Sequence, residues 1–256
     1  MKLFDTRTHE VAQAFVTKSN YSVRDVSFCP HGNGHLFAAG MENGQIQLWD
    51  VRRPEKYEKK WPAHSDHIFA VDWHPESRYT LASAGRDKQI KVWNTNDTSK
   101  CEHLVYSIGP VGRIRWRPRY NYHIASCSGM VGDFSISVWD VRRPYVPFAV
   151  FSEHKNVATD IRWLQDPDRL LSSGRDNPLI HHAFSDSHRP ASKAPPAGLA
   201  MSTMGNITSA FRDGSVCVTS PLSTLAAYPE IVPKFISSSL TPTESSTSFR
   251  MASFLR

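Results

Sequence analysis

The hexapeptide WDVRRP occurs twice in this chain of 256 residues, at positions 49–54 and again at positions 139–144. Chance identity of a word so rich in Trp and Arg is improbable, so the separation of 90 positions indicates an internal repeat. Weaker echoes at Phe4, Trp93 and His182 divide the chain into intervals of 43 to 46 residues. A period of this length favours one array of similar units that share a core.

Each period contains four short segments with the character of β-strands. The third segment alternates apolar and polar residues in GQIQLWD, KQIKVWN and FSISVWD, which is the pattern of a strand with one buried face. Turn-forming stretches such as MENG and AGRDK precede these segments and suit tight hairpins. We therefore predict an all-β fold of four-stranded antiparallel blades, arranged as a β-propeller.

Composition and cysteine spacing narrow the class of protein. The contents of 40% hydrophobic and 21% charged residues are ordinary for a soluble globular chain. Four cysteines without a CxxC pair predict reduced thiols and no zinc module, and no segment resembles a signal peptide or a membrane span. The net charge of +6 is scattered along the chain, so binding to nucleic acid is not expected.

The endings LWD, VWN and VWD resemble the dipeptide that gives the WD-repeat family its name. In that family a polar chain links a His before the first strand, an Asp in the second turn, a Ser on the second strand and the Trp indole. The resemblance implies such a chain of polar side chains in two units. The first consists of His64, Ser83, Asp87 and Trp93, and the second of His154, Ser172 and Asp176 with His182 in place of Trp. The unit between them matches less well, with Ser107, Asp133 and Trp139.

The same three residue types could be interpreted as a hydrolase triad. Because His, Ser and Asp recur with the structural period, we interpret them as blade-stabilising residues. No nucleotide-binding, nucleophile-elbow or zinc-protease motif is present in the sequence. We expect a protein that is not an enzyme, with no metal, no cofactor and no small-molecule substrate.

The arginine pairs of the hexapeptide, Arg52 with Arg53 and Arg142 with Arg143, have two interpretations. In the first, they are solvated charges in a turn that Asp begins and Pro ends. In the second, two identical loops form one surface for an acidic partner, because Arg is enriched at partner contacts.

A longer resemblance covers roughly residues 1 to 200, through runs such as NGQIQLWDVRRPEKYEKKWPAHSDHIFAVDWHPES and SVWDVRRPYVPFAVFSEHKNVATDIRW. These runs are similar to the N-terminal propeller of a family of WD-repeat subunits in the larger GATOR subcomplex. The resemblance implies a scaffold that contacts other WD-repeat subunits and amino-acid sensor proteins, and that promotes TOR kinase signalling from the cytoplasm and the lysosomal surface. The family's zinc-binding RING-like region is absent from this sequence, so its activity is not assigned here.

A second resemblance leads to an alternative function. The WDVR letters are similar to the W-D-x-R box by which WD-repeat substrate receptors bind the adaptor of cullin ubiquitin ligases. This interpretation would rest on Arg52 and Arg142.

The predicted organisation is a partial propeller over residues 1–220 and a Ser/Thr-rich, disordered tail over 221–256. Within the propeller we expect a third-strand remnant at 1–5, blades at 11–50, 57–94, 101–140 and 147–184, and a degenerate blade at 198–220. A seven-bladed ring needs about 300 residues. We therefore expect a fragment or an open arc, with edge strands able to accept a partner strand.

Overall fold

Short antiparallel β-strands are the main regular elements of the described part of the chain. The computed structural model describes residues 1–17, 20–31, 34–129 and 132–190, and the backbone of three later strands. In chain order the strands are β1 (Lys2–Asp5), β2 (Glu10–Ala14), β3 (Val23–Phe28), β4 (Leu36–Met41), β5 (Gln45–Asp50), β6 (Lys59–Pro62), β7 (Ile68–Trp73), β8 (Thr80–Gly85), β9 (Gln89–Asn94), β10 (Cys101–Tyr106), β11 (Val111–Trp116), β12 (His123–Ser128), β13 (Ile136–Asp140), β14 (Ala149–Phe151), β15 (Ala158–Trp163), β16 (Arg169–Gly174), β17 (Leu179–Ala183), β18 (Ala197–Met201), β19 (Ile207–Phe211) and β20 (Val216–Thr219). A single 3-10 turn, Phe184–Asp186, follows β17.

The strands form successive antiparallel sheets. Three of these have four strands, β3 to β6 (sheet A), β7 to β10 (sheet B) and β11 to β14 (sheet C). A three-stranded sheet of β15 to β17 follows (sheet D), and β1 pairs with β2 near the N-terminus. The predicted all-β architecture with four-stranded antiparallel blades is confirmed.

The chain divides into two compact units, Met1–Lys193 and Ala194–Arg256. The first contains β1 to β17, and the second contains the three-stranded sheet of β18 to β20. The predicted disordered tail, 221–256, lies outside the described residues.

The sheets differ by one strand from the predicted blades. The segment at 57–62 was assigned to the unit 57–94, yet β6 pairs with β5 of the preceding unit, with Leu48 opposite Lys59. The same shift holds for β10 with β9 and for β14 with β13. Sheet A therefore begins at Val23 and ends at Pro62. The reason is that a repeat can be cut at any phase, so the period in the sequence does not itself specify which strand begins a sheet.

The hydrophobic core lies between neighbouring sheets. Sheets A and B share one apolar cluster, sheets B and C a second, and sheets C and D a third. The members that best represent these clusters are Ile46, Trp61, Ile68 and Trp73 in the first, Ile90, Val92, Ile114 and Trp116 in the second, and Ile136, Phe151, Ile161 and Leu170 in the third. Each such side chain stabilises the fold by roughly 1.5 to 3 kcal/mol through burial, so each blade is stabilised mainly by its neighbours.

Tryptophan indoles on the first strands of sheets B, C and D join one sheet to the next. Each indole N–H donates to a backbone carbonyl on the first strand of the preceding sheet. The bonds are Trp73 Nε1 to the Ser27 oxygen at 3.0 Å, Trp116 Nε1 to the Asp72 oxygen at 3.2 Å, and Trp163 Nε1 to the Arg115 oxygen at 3.2 Å. The recurring aromatic of the first strand therefore joins adjacent blades, in addition to filling the core.

Arg117 joins sheets C and D at a buried position, with 2% of its side chain exposed. Its guanidinium donates to a backbone oxygen, an imidazole and a carboxylate, and its faces pack on two aromatic rings. The partners are the Pro167 oxygen at 2.8 Å, His123 Nδ1 at 3.1 Å and the Asp168 carboxylate, with the Phe184 and Tyr120 rings at 3.7 and 3.9 Å. One planar cation thus contacts five partners at a joint between blades.

Gly44 allows a close approach of two backbone segments in sheet A. It has a φ of +78°, and a Cβ at this position would lie 2.1 Å from the His64 carbonyl oxygen. We expect Gly44→Ala to reduce the free energy of unfolding by roughly 3 kcal/mol, because backbone strain and a steric clash act together. Urea denaturation measures the loss.

Gly34 is the matched control for this prediction. Its φ is +68°, but no atom of the described residues lies within 4 Å of the Cβ that alanine would add. Gly34→Ala therefore tests the backbone conformation alone, with an expected cost of about 1 kcal/mol. Equal losses in the two variants would show that the contact with His64 does not constrain the fold.

Candidate functional site

A continuous hydrogen-bonded chain crosses sheet B. His64 Nδ1 lies 2.9 Å from both carboxylate oxygens of Asp87, and its Nε2 lies 2.8 Å from Ser83 Oγ. The Trp93 indole N–H donates to the same Ser83 oxygen at 2.9 Å. His64, Ser83 and Trp93 are all buried. The structure thus brings together all four residues that the WD-repeat resemblance selected in this unit.

One tautomer of His64 satisfies every member of this chain. The Trp93 N–H donates to Ser83 Oγ, the Ser83 hydroxyl donates to His64 Nε2, and His64 Nδ1–H donates to Asp87. Burial raises the pKa of Asp87, but hydrogen bonds from His64 and two backbone N–H groups outweigh it and lower the pKa overall. The geometry resembles a hydrolase triad, yet Ser83 is completely buried and its oxygen already accepts the indole. We therefore interpret the chain as structural.

Sheet D contains the second chain. His154 Nδ1 lies 3.0 Å from both oxygens of Asp176, and His154 Nε2 lies 2.7 Å from Ser172 Oγ. His182 occupies the position of the tryptophan, and its Nε2 lies 2.6 Å from the same serine oxygen. Since Ser172 has one hydroxyl proton, which His154 accepts, His182 must donate its own Nε2–H to Ser172.

This tautomer places the other His182 nitrogen against a carboxylate. His182 Nδ1 is buried and has no hydrogen-bond partner within the described part of the chain, although Glu153 Oε2 lies 3.2 Å away. Burial lowers the pKa of His182, while Glu153 acts in the opposite direction. Replacement of Trp by His therefore leaves this chain less well satisfied than the one in sheet B.

The remaining sheets contain shorter versions of the chain. In sheet C the Trp139 indole N–H donates to Ser126 Oγ at 2.9 Å, so Ser126 is the serine of this unit, and sequence analysis did not identify it. Ser107 lies in the loop before β11 and donates to backbone oxygens instead. In sheet A the Trp49 indole N–H donates to the Gln47 side chain at 3.2 Å, since Ala39 has no hydroxyl.

The two WDVRRP loops have closely similar turns. Asp50 accepts the Arg52 backbone N–H at 2.8 Å and its guanidinium at 2.6 Å, and Asp140 accepts the corresponding groups of Arg142 at 3.0 and 2.8 Å. The hydrogen bond from Arg52 lowers the pKa of Asp50 to about 2, despite burial. Arg52 and Arg142 therefore stabilise their own turns.

The second arginine of each pair has a different environment. Arg53 and Arg143 are exposed, and their backbone N–H groups close the turn by donating to the carbonyl oxygens of Asp50 and Asp140. Arg52 and Arg142 also keep 68% and 54% of their side chains accessible. The structure does not test whether these four residues contact a partner, which stays a prediction.

Metal sites and membrane-spanning helices are two further classes of functional feature. Within the described ranges, no group of three or more His, Cys, Asp or Glu side chains is arranged to hold a metal ion. Over the same residues, no helix has the length and apolar character needed to cross a membrane.

Comparison with known proteins identifies the repeat. The family model for the WD domain, G-beta repeat, matches residues 12–50 and 55–94. A solved structure, "Crystal Structure of Mitotic Checkpoint Complex", superposes on 85% of this chain and 67% of its own, with a TM-score of 0.61. Its sequence identity is 18%, so this likeness concerns the fold alone.

Similar sequences are found in animals under one name, GATOR2 complex protein WDR24. The chicken protein is 46% identical over 84% of this chain, and the human protein is 44% identical over 86%. The Drosophila melanogaster protein is 46% identical over 81% of this chain. The chain spans 31%, 28% and 26% of the lengths of these relatives, respectively.

Proposed function

The chain carries WD repeats, and from this premise we propose that it is a non-catalytic interaction scaffold of a GATOR2-type complex. The observation that carries the proposal is the identity of 44 to 46% with proteins named for that complex, over more than four fifths of the chain. Identity at this level extends to surface positions as well as the blade core. The fold alone is less informative about function, because proteins with many unrelated functions share it.

The arrangement of polar groups is consistent with a scaffold. The His and Ser side chains that could perform chemistry are buried, and each His is bonded to a Ser and to a partly buried Asp. The charged groups that a partner could reach include the arginines of the two WDVRRP turns, each built on a self-bonded Asp–Arg pair. A rigid turn presents its exposed arginine at low entropic cost, which favours a contact with an acidic surface.

The proposed partners are other WD-repeat subunits of the complex and amino-acid sensor proteins. Through them the chain would promote amino-acid-dependent TOR kinase signalling. Its place would be the cytoplasm and the lysosomal surface, where it would bind peripherally through the complex.

A tagged pull-down of the 256-residue chain from animal cells, followed by mass spectrometry, tests the proposal. We expect recovery of GATOR2 subunits. Arg53→Glu combined with Arg143→Glu should reduce that recovery at least tenfold, because two charge reversals would repel an acidic partner while Arg52 and Arg142 keep the turns intact. Arg86→Glu with Arg169→Glu is the matched control, since both side chains are 56% exposed and lie outside the turns.

Three outcomes have distinct meanings. Equal losses in the two double variants would indicate a general charge effect and would remove the arginine surface from the proposal. Absence of GATOR2 subunits from the unsubstituted chain would overturn the proposal itself. Recovery of a cullin adaptor in their place would favour the alternative, a substrate receptor that uses the WDVR boxes.

A further inference from the structure

Sheet C differs from its neighbours at the position of the network histidine. His64 and His154 each lie four residues before the first strand of their sheets, and Ser107 lies four residues before β11. The imidazole is therefore replaced by a much smaller side chain. A cavity of about 290 Å³ is found here, lined by Ser107, Ser126, Asp133 and Trp139 among others.

Counterparts of the other three network residues, Asp133, Ser126 and Trp139, line this cavity. Asp133 lies six residues before Trp139, as Asp87 lies six before Trp93. Both aspartates accept the backbone N–H two residues later, Asp133 from Ser135 at 3.0 Å and Asp87 from Gln89 at 3.3 Å. Sheet C thus contains the Asp, Ser and Trp of the network without its histidine.

The hydrogen-bonding capacity of Ser126 is incompletely used. Its oxygen accepts the Trp139 indole N–H at 2.9 Å, as Ser83 accepts Trp93. Its hydroxyl, however, has one acceptor among the described residues, the Ser137 oxygen at 3.5 Å, at the limit of a hydrogen bond. In sheets B and D the corresponding hydroxyl has an imidazole nitrogen within 2.8 Å. Ser126 is 5% exposed, so the cavity is its route to a better acceptor.

The entrance of the cavity is apolar and accessible. Ile108 and Tyr145 are 88% and 87% exposed, and Tyr106 is 62% exposed. Three large exposed apolar side chains around a polar floor are typical of a contact site for another polypeptide, because aromatic rims exclude water from a central anchor residue. The entrance therefore favours a peptide segment over a free small molecule.

We propose that this cavity, here called the sheet C pocket, binds a histidine side chain from a partner polypeptide. The neutral imidazole would accept the Ser126 hydroxyl at Nε2 and donate from Nδ1 to Asp133, which completes the network that sheets B and D complete internally. Flanking residues of the partner would cover Ile108 and Tyr145. The proposal deepens the scaffold function, and it rests on that function only in requiring a protein partner.

Titration of the 256-residue chain with the blocked peptide Gly-Ala-His-Ala-Gly tests this proposal. Binding is followed by changes in NMR shifts and by the rise in Tm that a ligand of the folded state produces. The same peptide with Phe or Lys in place of His controls for ring packing and for charge. We expect the His peptide to bind at least tenfold more tightly than either control, and imidazole alone to bind more weakly than the peptide.

Two variants of the chain test whether the peptide binds in the sheet C pocket. Ser107→His supplies the imidazole from within, so we expect a higher Tm and at least a tenfold loss of peptide binding. Asp133→Asn removes the carboxylate at a half-buried position and should also weaken binding, so the proposal stays testable if Ser107→His does not fold. Equal binding of the His and Lys peptides, no binding of the His peptide, or unchanged binding in both variants would overturn the proposal. Because these probes need no other subunit, their failure would leave the proposed complex membership untouched.

Discussion

Replacement of Arg117 by alanine is expected to lower the free energy of unfolding by about 3 kcal/mol, the loss typical of removing a buried side chain that supplies hydrogen bonds to several polar groups. For a chain of this size, that loss corresponds to a decrease in Tm of roughly 6 to 12 °C. The side chain is 2% exposed and joins sheets C and D through three hydrogen-bonded partners. Its removal leaves the Pro167 carbonyl and the His123 imidazole without their donor.

Two other substitutions separate this effect from simple loss of charge. Arg169→Ala removes an arginine that is 56% exposed and pairs with Asp166 at 3.3 Å, so we expect a change below about 0.5 kcal/mol. Arg117→Lys keeps the charge but loses the planar stacking on Phe184 and Tyr120, and an intermediate loss is expected. If Arg117→Ala and Arg169→Ala gave equal losses in urea denaturation, Arg117 would not be a joint between blades.

The pH dependence of stability gives a second readout of the same variant. Burial and then the charge of Arg117 lower the pKa of His123 to about 4, below the value near 6.5 of an unfolded chain. Between these values the unfolded state binds more protons, so stability falls as the pH decreases from about 6.5 to about 4. In Arg117→Ala one of the causes that lower this pKa is absent, so the pKa of His123 rises and the fall over this range becomes smaller. Unfolding curves at several pH values across this window measure the difference.

The all-β fold and the WD repeat could be predicted from sequence because both depend on side chains that recur with the period. The spacing of His64, Ser83, Asp87 and Trp93 indicates which side chains meet, since every member of that chain contributes its own polar atom. The alternating residues of the third strands similarly indicate a buried face. Each such interaction requires a particular residue type at a particular position, which can be recognised in the sequence.

Bonds that end on backbone atoms could not be predicted in this way. Backbone carbonyl oxygens accept the indole N–H groups of Trp73, Trp116 and Trp163. Every residue has such an oxygen, so the residue type at the acceptor position gives no indication of the bond. Arg117 shows the same limitation, because its Pro167 and Asp168 partners are about fifty positions away and one of them is a backbone carbonyl. The sequence feature that indicated these joints was the aromatic residue at the end of each first strand, which recurs at intervals of 43 to 47 residues.

The arginines of the hexapeptide show a different limit. Sequence reasoning treated Arg52 and Arg53 as one charged pair, but the structure gives them different environments. Arg52 bonds to the Asp two positions earlier, while the Arg53 side chain is exposed. Which of two neighbouring arginines bonds to the aspartate depends on the conformation of the turn. The repeated hexapeptide sequence does not specify that conformation.

Ser83→Ala is expected to lower the free energy of unfolding by roughly 3 kcal/mol, because two buried groups lose their partner at once. The substitution removes one oxygen from a completely buried side chain and adds no volume. It leaves the Trp93 N–H without an acceptor and His64 Nε2 without a donor. Urea denaturation, with Ser65→Ala at the adjacent exposed loop as the control, measures the loss.

The three sheets provide a graded series for this prediction. Ser172→Ala would leave two imidazoles without their shared hydroxyl and should resemble Ser83→Ala. Ser126→Ala would leave only the Trp139 indole N–H, so the expected loss is smaller, about 1 to 2 kcal/mol. The order follows from the number of buried partners and not from the volume removed, since each change deletes the same single oxygen. Equal losses at all three serines would show that the histidines contribute nothing to blade stability, and the sheet C pocket would then have no reason to bind an imidazole.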